Sequence, residues 1–328
     1  MNLLFTLSFS QEIGSGHLYR VQSLYAESET FNPSIAIQCN SKDEKFLATI
    51  LKGSNTFFYT DFCSSEFQEL IKEGKYNIVV TDLLIEDYNK IAFLKREMVF
   101  RLISILSYEK EIKQIENSDC IIFPSPFKLK NKSKIKFYSG PEVLFLNRAL
   151  IENYYTFRNE VKNILVFFGG TDPENIINKV YLCLKNKALT TYNFTIISNA
   201  DFPSTENINI IKPGPNYLQV VLDSDLAIIN GGNTRYEMSY IGLPTIAISI
   251  HKEQYQITQK TTGINSMINL GIYKDLNCKQ ITDCIIEKSI DLSWRSTFYH
   301  KSTQYFKDIK NAYKNFNQIL LDEKNYFL

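Results

Sequence analysis

The stretch Ile13-Gly-Ser-Gly-His-Leu-Tyr-Arg20 places one of the chain's 3 histidines directly behind two glycines, just after an apolar run at residues 3–7. Gly14 and Gly16 permit a tight turn and close approach of backbone to a ligand. The helix that follows, with Leu18, Val21 and Leu24 at helical spacing, would aim its N-terminus at negative charge. An imidazole at the carboxyl end of a strand, His17, suits a general base or acid near neutral pH. The competing reading is a structural histidine in a phosphate loop. As a dinucleotide fingerprint the stretch fails, because Tyr19 replaces the third glycine and the second strand ends in Gln38-Cys-Asn40 without an acidic residue.

Two further turns share this chemistry. In Phe167-Phe-Gly-Gly-Thr-Asp-Pro-Glu174, Gly169 and Gly170 leave room for a ligand and Thr171 offers a hydroxyl. Asp172-Pro173 also reads as a plain helix start, with no ligand. In Ile229-Asn-Gly-Gly-Asn-Thr-Arg-Tyr-Glu-Met238, the amides of Gly231, Gly232 and Asn233 and the hydroxyl of Thr234 would form a diphosphate seat at a helix N-terminus. Glu237, one turn on, could accept both hydroxyls of a ribose. The spacing of Thr234 and Glu237 fits a capping box equally well.

Such turns need strands to precede them. Short apolar runs recur at residues 3–7, 34–38, 77–81, 102–106 and 120–123, then at 163–168, 193–197, 208–211, 226–229 and 245–249, with helical stretches between. Residues 55–62 read equally as a strand and its turn. This alternation predicts an α/β chain of two Rossmann-like, doubly wound parallel-sheet domains. At 328 residues two domains are expected, 1–155 and 156–328, with the break in the polar segment 152–162. Tyr305, Ile309, Tyr313, Phe316 and Leu320 predict one long amphipathic helix that packs on the N-terminal domain or on a partner. Ligands in open α/β sheets bind at the carboxyl ends of the strands, where all three turns fall.

Composition narrows the partners. With 44% hydrophobic residues, 22% charged residues and a net charge of +1, the chain has no electrostatic reason to hold nucleic acid or an anionic membrane. Lys128-Leu-Lys-Asn-Lys-Ser-Lys-Ile-Lys136 reads as a solvated loop. The 6 cysteines lack paired spacing and predict buried reduced thiols. Dispersed histidines suggest no metal site. Without a signal-peptide pattern or an apolar run of membrane-spanning length, a cytoplasmic protein is expected. Oligomeric state is not legible.

Together the turns resemble the UDP-sugar hydrolase of the pseudaminic acid pathway and the related spore-coat polysaccharide protein G. Both are similar to the lipid II-forming glycosyltransferase, whose architecture is called GT-B. The resemblance rests on Ile13-Gly-Ser-Gly-His17 with Arg20, Gly169-Gly-Thr-Asp172, and Gly231-Gly-Asn-Thr-Arg-Tyr-Glu237 with Gly242-Leu-Pro244. A weaker match is Ser139-Gly-Pro-Glu-Val-Leu-Phe-Leu-Asn-Arg148. It implies two domains facing across a cleft, with UDP held mainly by the C-terminal one. Glu237 would hold the ribose, and Gly231 to Thr234 with Gly170 and Thr171 would face the diphosphate. His17 would activate water to displace UDP with inversion, without metal or cofactor. Two departures concern sugar recognition. Thr81-Asp-Leu-Leu84 keeps the Asp of the hydrolase's Asp-His-Tyr run but not its His and Tyr, leaving Asp82 to orient His17 or a sugar hydroxyl. His251-Lys-Glu-Gln254 keeps Gln254 but has Glu253 in place of the family's Asn.

The expected function is therefore hydrolysis of a UDP-linked amino-deoxy sugar for nonulosonic acid or surface-glycan synthesis. The alternatives are a GT-B glycosyltransferase using the same donor, and a non-catalytic nucleotide-sugar binding protein.

Overall fold

The computed structural model describes residues 1–10, 16–107, 109–130, 134–169, 172, 175–214 and 216–325, so Gly14, Gly170 and Thr171 lie outside the described residues. The chain divides into two units, Met1–Asn147 with Asp308–Leu328, and Arg148–Lys307.

In the first unit β1 (Asn2–Ser8), β2 (Pro33–Gln38), β3 (Thr56–Tyr59), β4 (Tyr76–Asp82), β5 (Arg101–Ile105), β6 (Cys120–Phe123) and β7 (Lys136–Ser139) form a parallel sheet ordered β3-β2-β1-β4-β5-β6-β7. In the second, β8 (Asn163–Phe167), β9 (Asn193–Ile197), β10 (Ile208–Ile211), β11 (Leu226–Asn230), β12 (Thr245–Ser249) and β13 (Ile268–Ile272) are parallel in the order β10-β9-β8-β11-β12-β13. The central strands are buried on both faces, which is why they read as continuous apolar runs. β3 lies within the ambiguous 55–62 stretch. The apolar pattern missed β7 and β13, which are edge strands with half-exposed side chains.

Each sheet order reverses beside its first strand, between β1 and β4 and between β8 and β11. That reversal opens a crevice at the carboxyl ends, where doubly wound sheets bind ligands. Register puts Leu7 beside Asp82 in one sheet and Phe167 beside Ile229 in the other. The glycine turns at Gly169 and Gly231 lie just past the second pair, and Asp82 itself ends β4 in the first.

Three expectations need correction. The apolar stripe 305–320 is not one helix: helix Leu292–Tyr305 ends, a 3₁₀ turn Lys307–Asn311 follows, and helix Ala312–Lys324 begins anew. The chain changes unit at this break. Phe306 is buried beside Tyr236 of the second unit, while Ile309, Phe316 and Leu320 enter the core of the first. Phe316 stacks on Phe5, and Tyr313 donates to the Leu146 carbonyl at 2.6 Å.

The cysteines are not all reduced either: Cys183 and Cys278 form a disulfide across 95 residues, joining helix Ile176–Leu184 to the start of helix Cys278–Ile290. These two helices pack together, so the pairing arises from tertiary proximity and leaves no trace in local spacing.

The basic run, finally, is more than a solvated loop, because Lys136 opens β7 and its ammonium sits 2.7 Å from Glu323 Oε1. Glu323 is 1% exposed and also accepts from Arg101 Nε at 2.7 Å, which ties the last helix to the first sheet. Removing one partner of a buried ion pair strands the other's charge. Glu323→Gln should therefore lower stability by about 3 kcal/mol in urea unfolding. That is the low end of the usual range, because Arg101 keeps Asp119 at 2.7 Å. An unchanged midpoint would mean that this network contributes nothing to stability.

Candidate active site

In the first unit, helix Gly16–Glu27 starts just past β1, so its first two turns carry His17 and Arg20 to the carboxyl ends of β1 and β4. Asp82, the last residue of β4, is 1% exposed and meets both. Its Oδ1 lies 2.6 Å from His17 Nδ1, and Arg20 donates from Nη2 to Oδ1 and from Nε to Oδ2, both at 2.6 Å. Burial alone would raise the Asp82 carboxyl. The charges of Arg20 and then His17, with their hydrogen bonds, outweigh it and hold the group well below the usual carboxylate range. An ionised carboxylate accepts only, so Nδ1 carries the proton and Nε2 is the basic nitrogen.

Arg20 Nη2 also reaches Ser107 Oγ at 3.5 Å, and the Ser107 amide donates to the buried Glu111 carboxylate at 3.1 Å. A chain of charged contacts thus extends from the imidazole to the loop after β5. A Cβ on Gly16 would meet nothing within 4 Å, so packing does not require glycine there.

Beside this triad, Ser8 donates to Asp87 Oδ2 at 2.6 Å and the Gln38 amide donates to Asp87 Oδ1 at 3.1 Å. Lys90 bridges Asp87 and Asp61 at 2.9 and 3.0 Å. Spacing gave no sign of this cluster, which draws on four separate segments.

In the second unit, β8 and β11 end side by side, and Asn230 joins their turns. Its Nδ2 donates to the Phe168 carbonyl at 2.8 Å and its Oδ1 accepts from Gly232 N–H at 3.0 Å. Gly169 stands at φ +87°, which a side chain would strain. At Gly231 a Cβ would sit 2.7 Å from Thr258 Oγ1 and 3.0 Å from Ser249 Oγ, so only glycine fits. The Gly232 amide, read from sequence as a phosphate donor, is thus already engaged by Asn230.

The turn after β8 divides between its two readings. Asp172 accepts from Ile176 and Ile177 N–H at 3.1 and 3.0 Å, so it caps helix Ile176–Leu184, while Gly170 and Thr171 are outside the described residues. In the third turn the capping box does not form. The helix is Thr234–Ile241 with Asn233 as N-cap, so Thr234 is its first residue and the T-x-x-E spacing is out of register. Glu237 Oε2 instead accepts from Tyr217 Oη at 2.9 Å, and the Tyr217 ring lies 5.3 Å from that of Phe167. Burial, the Glu237 charge and this bond push the phenol well above its usual range, so it stays a donor. Gln254 Oε1 accepts from Ile250 N–H at 2.9 Å, a local bond at the start of helix Lys252–Asn265.

Asn230, Tyr217 and Ser107 went unnoticed in the sequence. Only Asn230, directly before two glycines, carried a local signal there. Among the described residues, no group of three or more His, Cys, Asp or Glu is placed to hold a metal ion, and no helix is long and apolar enough to cross a membrane.

No family model matches the chain. It is 25% identical over 279 residues to the spore coat polysaccharide biosynthesis protein SpsG of Bacillus subtilis, covering 80% of this chain and 81% of that protein. It is also 28% identical over 266 residues to an uncharacterized protein of Methanocaldococcus jannaschii, covering 73% of this chain but 54% of that protein, so the match spans about half of the archaeal relative. Among solved structures it is similar to MurG of Acinetobacter baumannii, with TM-score 0.66, 11% identity, and 98% and 100% of the two chains covered. CalG4, the calicheamicin glycosyltransferase, gives TM-score 0.68 at 12% identity over 99% and 98%. A UDP-GlcNAc 2-epimerase of Neisseria meningitidis, bound to UDP-GlcNAc, gives 0.67 at 11% over 98% and 100%. At such identities the likeness speaks for the fold alone, and that fold is GT-B.

Proposed function

We propose that this protein is a glycosyltransferase that moves a sugar from a UDP-linked donor to a hydroxyl acceptor in surface-polysaccharide synthesis. The observation that carries the reading is the His17 Nδ1–Asp82 contact at 2.6 Å, at the carboxyl end of β1 in a GT-B fold. Similarity to SpsG, a polysaccharide biosynthesis protein, supports the pathway class. In the reaction, His17 Nε2 removes the acceptor proton as the oxygen attacks the anomeric carbon. The bond from that carbon to the diphosphate oxygen breaks, and UDP leaves with the electron pair, giving inversion. Charge developing on the diphosphate meets the N-terminus of helix Thr234–Ile241. Glu237, braced by Tyr217, accepts from the ribose hydroxyls, and Gln254 lies against the Gly231 turn of the same donor site.

Water could take the acceptor's place, which would make the protein a hydrolase. The apolar Leu83-Leu84 where the related hydrolase has His and Tyr favours a different acceptor. UDP release from UDP-2,4-diamino-2,4,6-trideoxyhexose derivatives and UDP-N-acetylhexosamines, with and without sugar and polyprenyl-phosphate acceptors, tests this. Release that depends on acceptor supports transfer, and equal release in water alone means hydrolysis. Glu237→Ala should weaken UDP binding by about 1–3 kcal/mol, the cost of two lost charge-assisted bonds, with 2′-deoxy-UDP less affected. Equal losses for both nucleotides would take the ribose away from Glu237.

A further inference from the structure

Arg235, the second residue of helix Thr234–Ile241, is 5% exposed, yet among the described residues no carboxylate lies within ion-pair distance of it. Its partners are neutral. Nη1 donates to the Gly232 carbonyl at 3.2 Å, Nη2 donates to Tyr236 Oη at 2.6 Å, and the guanidinium lies 4.2 Å from the Tyr236 ring centroid. Nε is buried with no hydrogen-bond partner. The other buried arginine of this unit, Arg295, also has an unpartnered Nε, but it donates to the carbonyls of Arg158 and Asn159 and so fastens the segment before β8. Arg235 fastens no distant segment; its bonds stay within the Gly231–Gly232 turn and the helix that follows.

A buried cation without a counter-charge is costly, because neutral donors and rings satisfy its hydrogens without neutralising it. Two more buried hydroxyls without partners, Ser249 Oγ and Thr258 Oγ1, face Gly231 in the same turn. A buried charge left unbalanced under low dielectric, beside the positive end of a helix, is what a bound anion would balance.

We propose that Arg235 supplies the fixed positive charge for the diphosphate of the nucleotide, with the ligand itself as its missing counter-ion. This rests on the nucleotide-sugar reading above and adds the group that distinguishes a nucleoside diphosphate from the nucleoside. Its charge acts from beneath the turn, through a buried path that salt screens poorly.

Calorimetric titration of UDP and of uridine against wild type, Arg235→Lys and Arg235→Gln tests it. Arg235→Gln should weaken UDP by about 10- to 100-fold, as expected when a buried charge near the diphosphate is lost, and leave uridine within about twofold. Arg235→Lys should retain most of the UDP affinity. Equal weakening of UDP and uridine, or no change in either, would overturn the proposal in favour of a packing role. Should Arg235→Gln not fold, wild type decides: inorganic pyrophosphate must compete with UDP but not with uridine, and failure to compete with UDP overturns it. Wild type that binds neither UDP nor uridine removes the nucleotide reading and this inference with it, whereas nucleotide binding indifferent to Arg235 removes the inference alone.

Discussion

His17→Ala is expected to slow turnover of the UDP-sugar by about 10²–10⁴-fold, the range a positioned general base supplies, while UDP binding stays near the wild-type value. The separation follows from the division of labour between the units. His17 stands at the carboxyl end of β1, whereas Glu237, Asn230 and Arg235 belong to the second unit. Its side chain is 14% exposed and bonds Asp82 through Nδ1, so the loss falls within the first unit. Steady-state kinetics beside calorimetry checks this. Undiminished turnover in His17→Ala would move the base elsewhere, and a parallel loss of UDP affinity would make His17 a binding residue.

Asp82→Asn is expected to act on both chemistry and stability. The amide can still contact the ring, but its NH₂ competes for the wrong tautomer and no charge remains to stabilise the imidazolium. Turnover should fall by about 10²-fold or more. The same change leaves the Arg20 guanidinium, 9% exposed, without its carboxylate, at a cost of about 3–5 kcal/mol. The pH dependence has a defined sign. Because the folded carboxyl is depressed, its contribution is fully present above the unfolded value of about 4 and is lost as pH falls below that value. Wild type should therefore lose stability steeply in acid, and Asp82→Asn should lack that component. Urea midpoints for both proteins between neutral pH and pH 3 measure it. Parallel curves would mean that folding does not depress the Asp82 carboxyl.

Much of this arrangement was legible in the sequence. Central strands are buried on both faces, so short runs of three to five apolar residues marked β1, β4, β8 and β11, and the glycines beyond β8 and β11 marked their turns. The edge strands β7 and β13 face solvent in part and lost that signature. His17 and Asp82 were both visible as types, but their contact depends on the register of β1 against β4, which pairs Leu7 with Asp82 across 75 residues of chain. Tyr217 and Arg235 were hidden for a different reason. A tyrosine on a short helix and an arginine inside a T-x-x-E run look like ordinary surface residues until burial and partners are known. The Thr234–Glu237 spacing misled in the opposite direction, because a shift of one residue in the helix start cancels a capping box while keeping its letters. The Cys183–Cys278 bond was likewise invisible to spacing.

The most direct test of the account is UDP release from the panel of UDP-linked amino-deoxyhexoses and N-acetylhexosamines, measured in parallel for wild type and His17→Ala with acceptors present. Wild type is expected to release UDP and His17→Ala to lose release almost completely, with UDP bound by both proteins. Tight UDP binding by wild type without release from any donor, or release undiminished in His17→Ala, would contradict it.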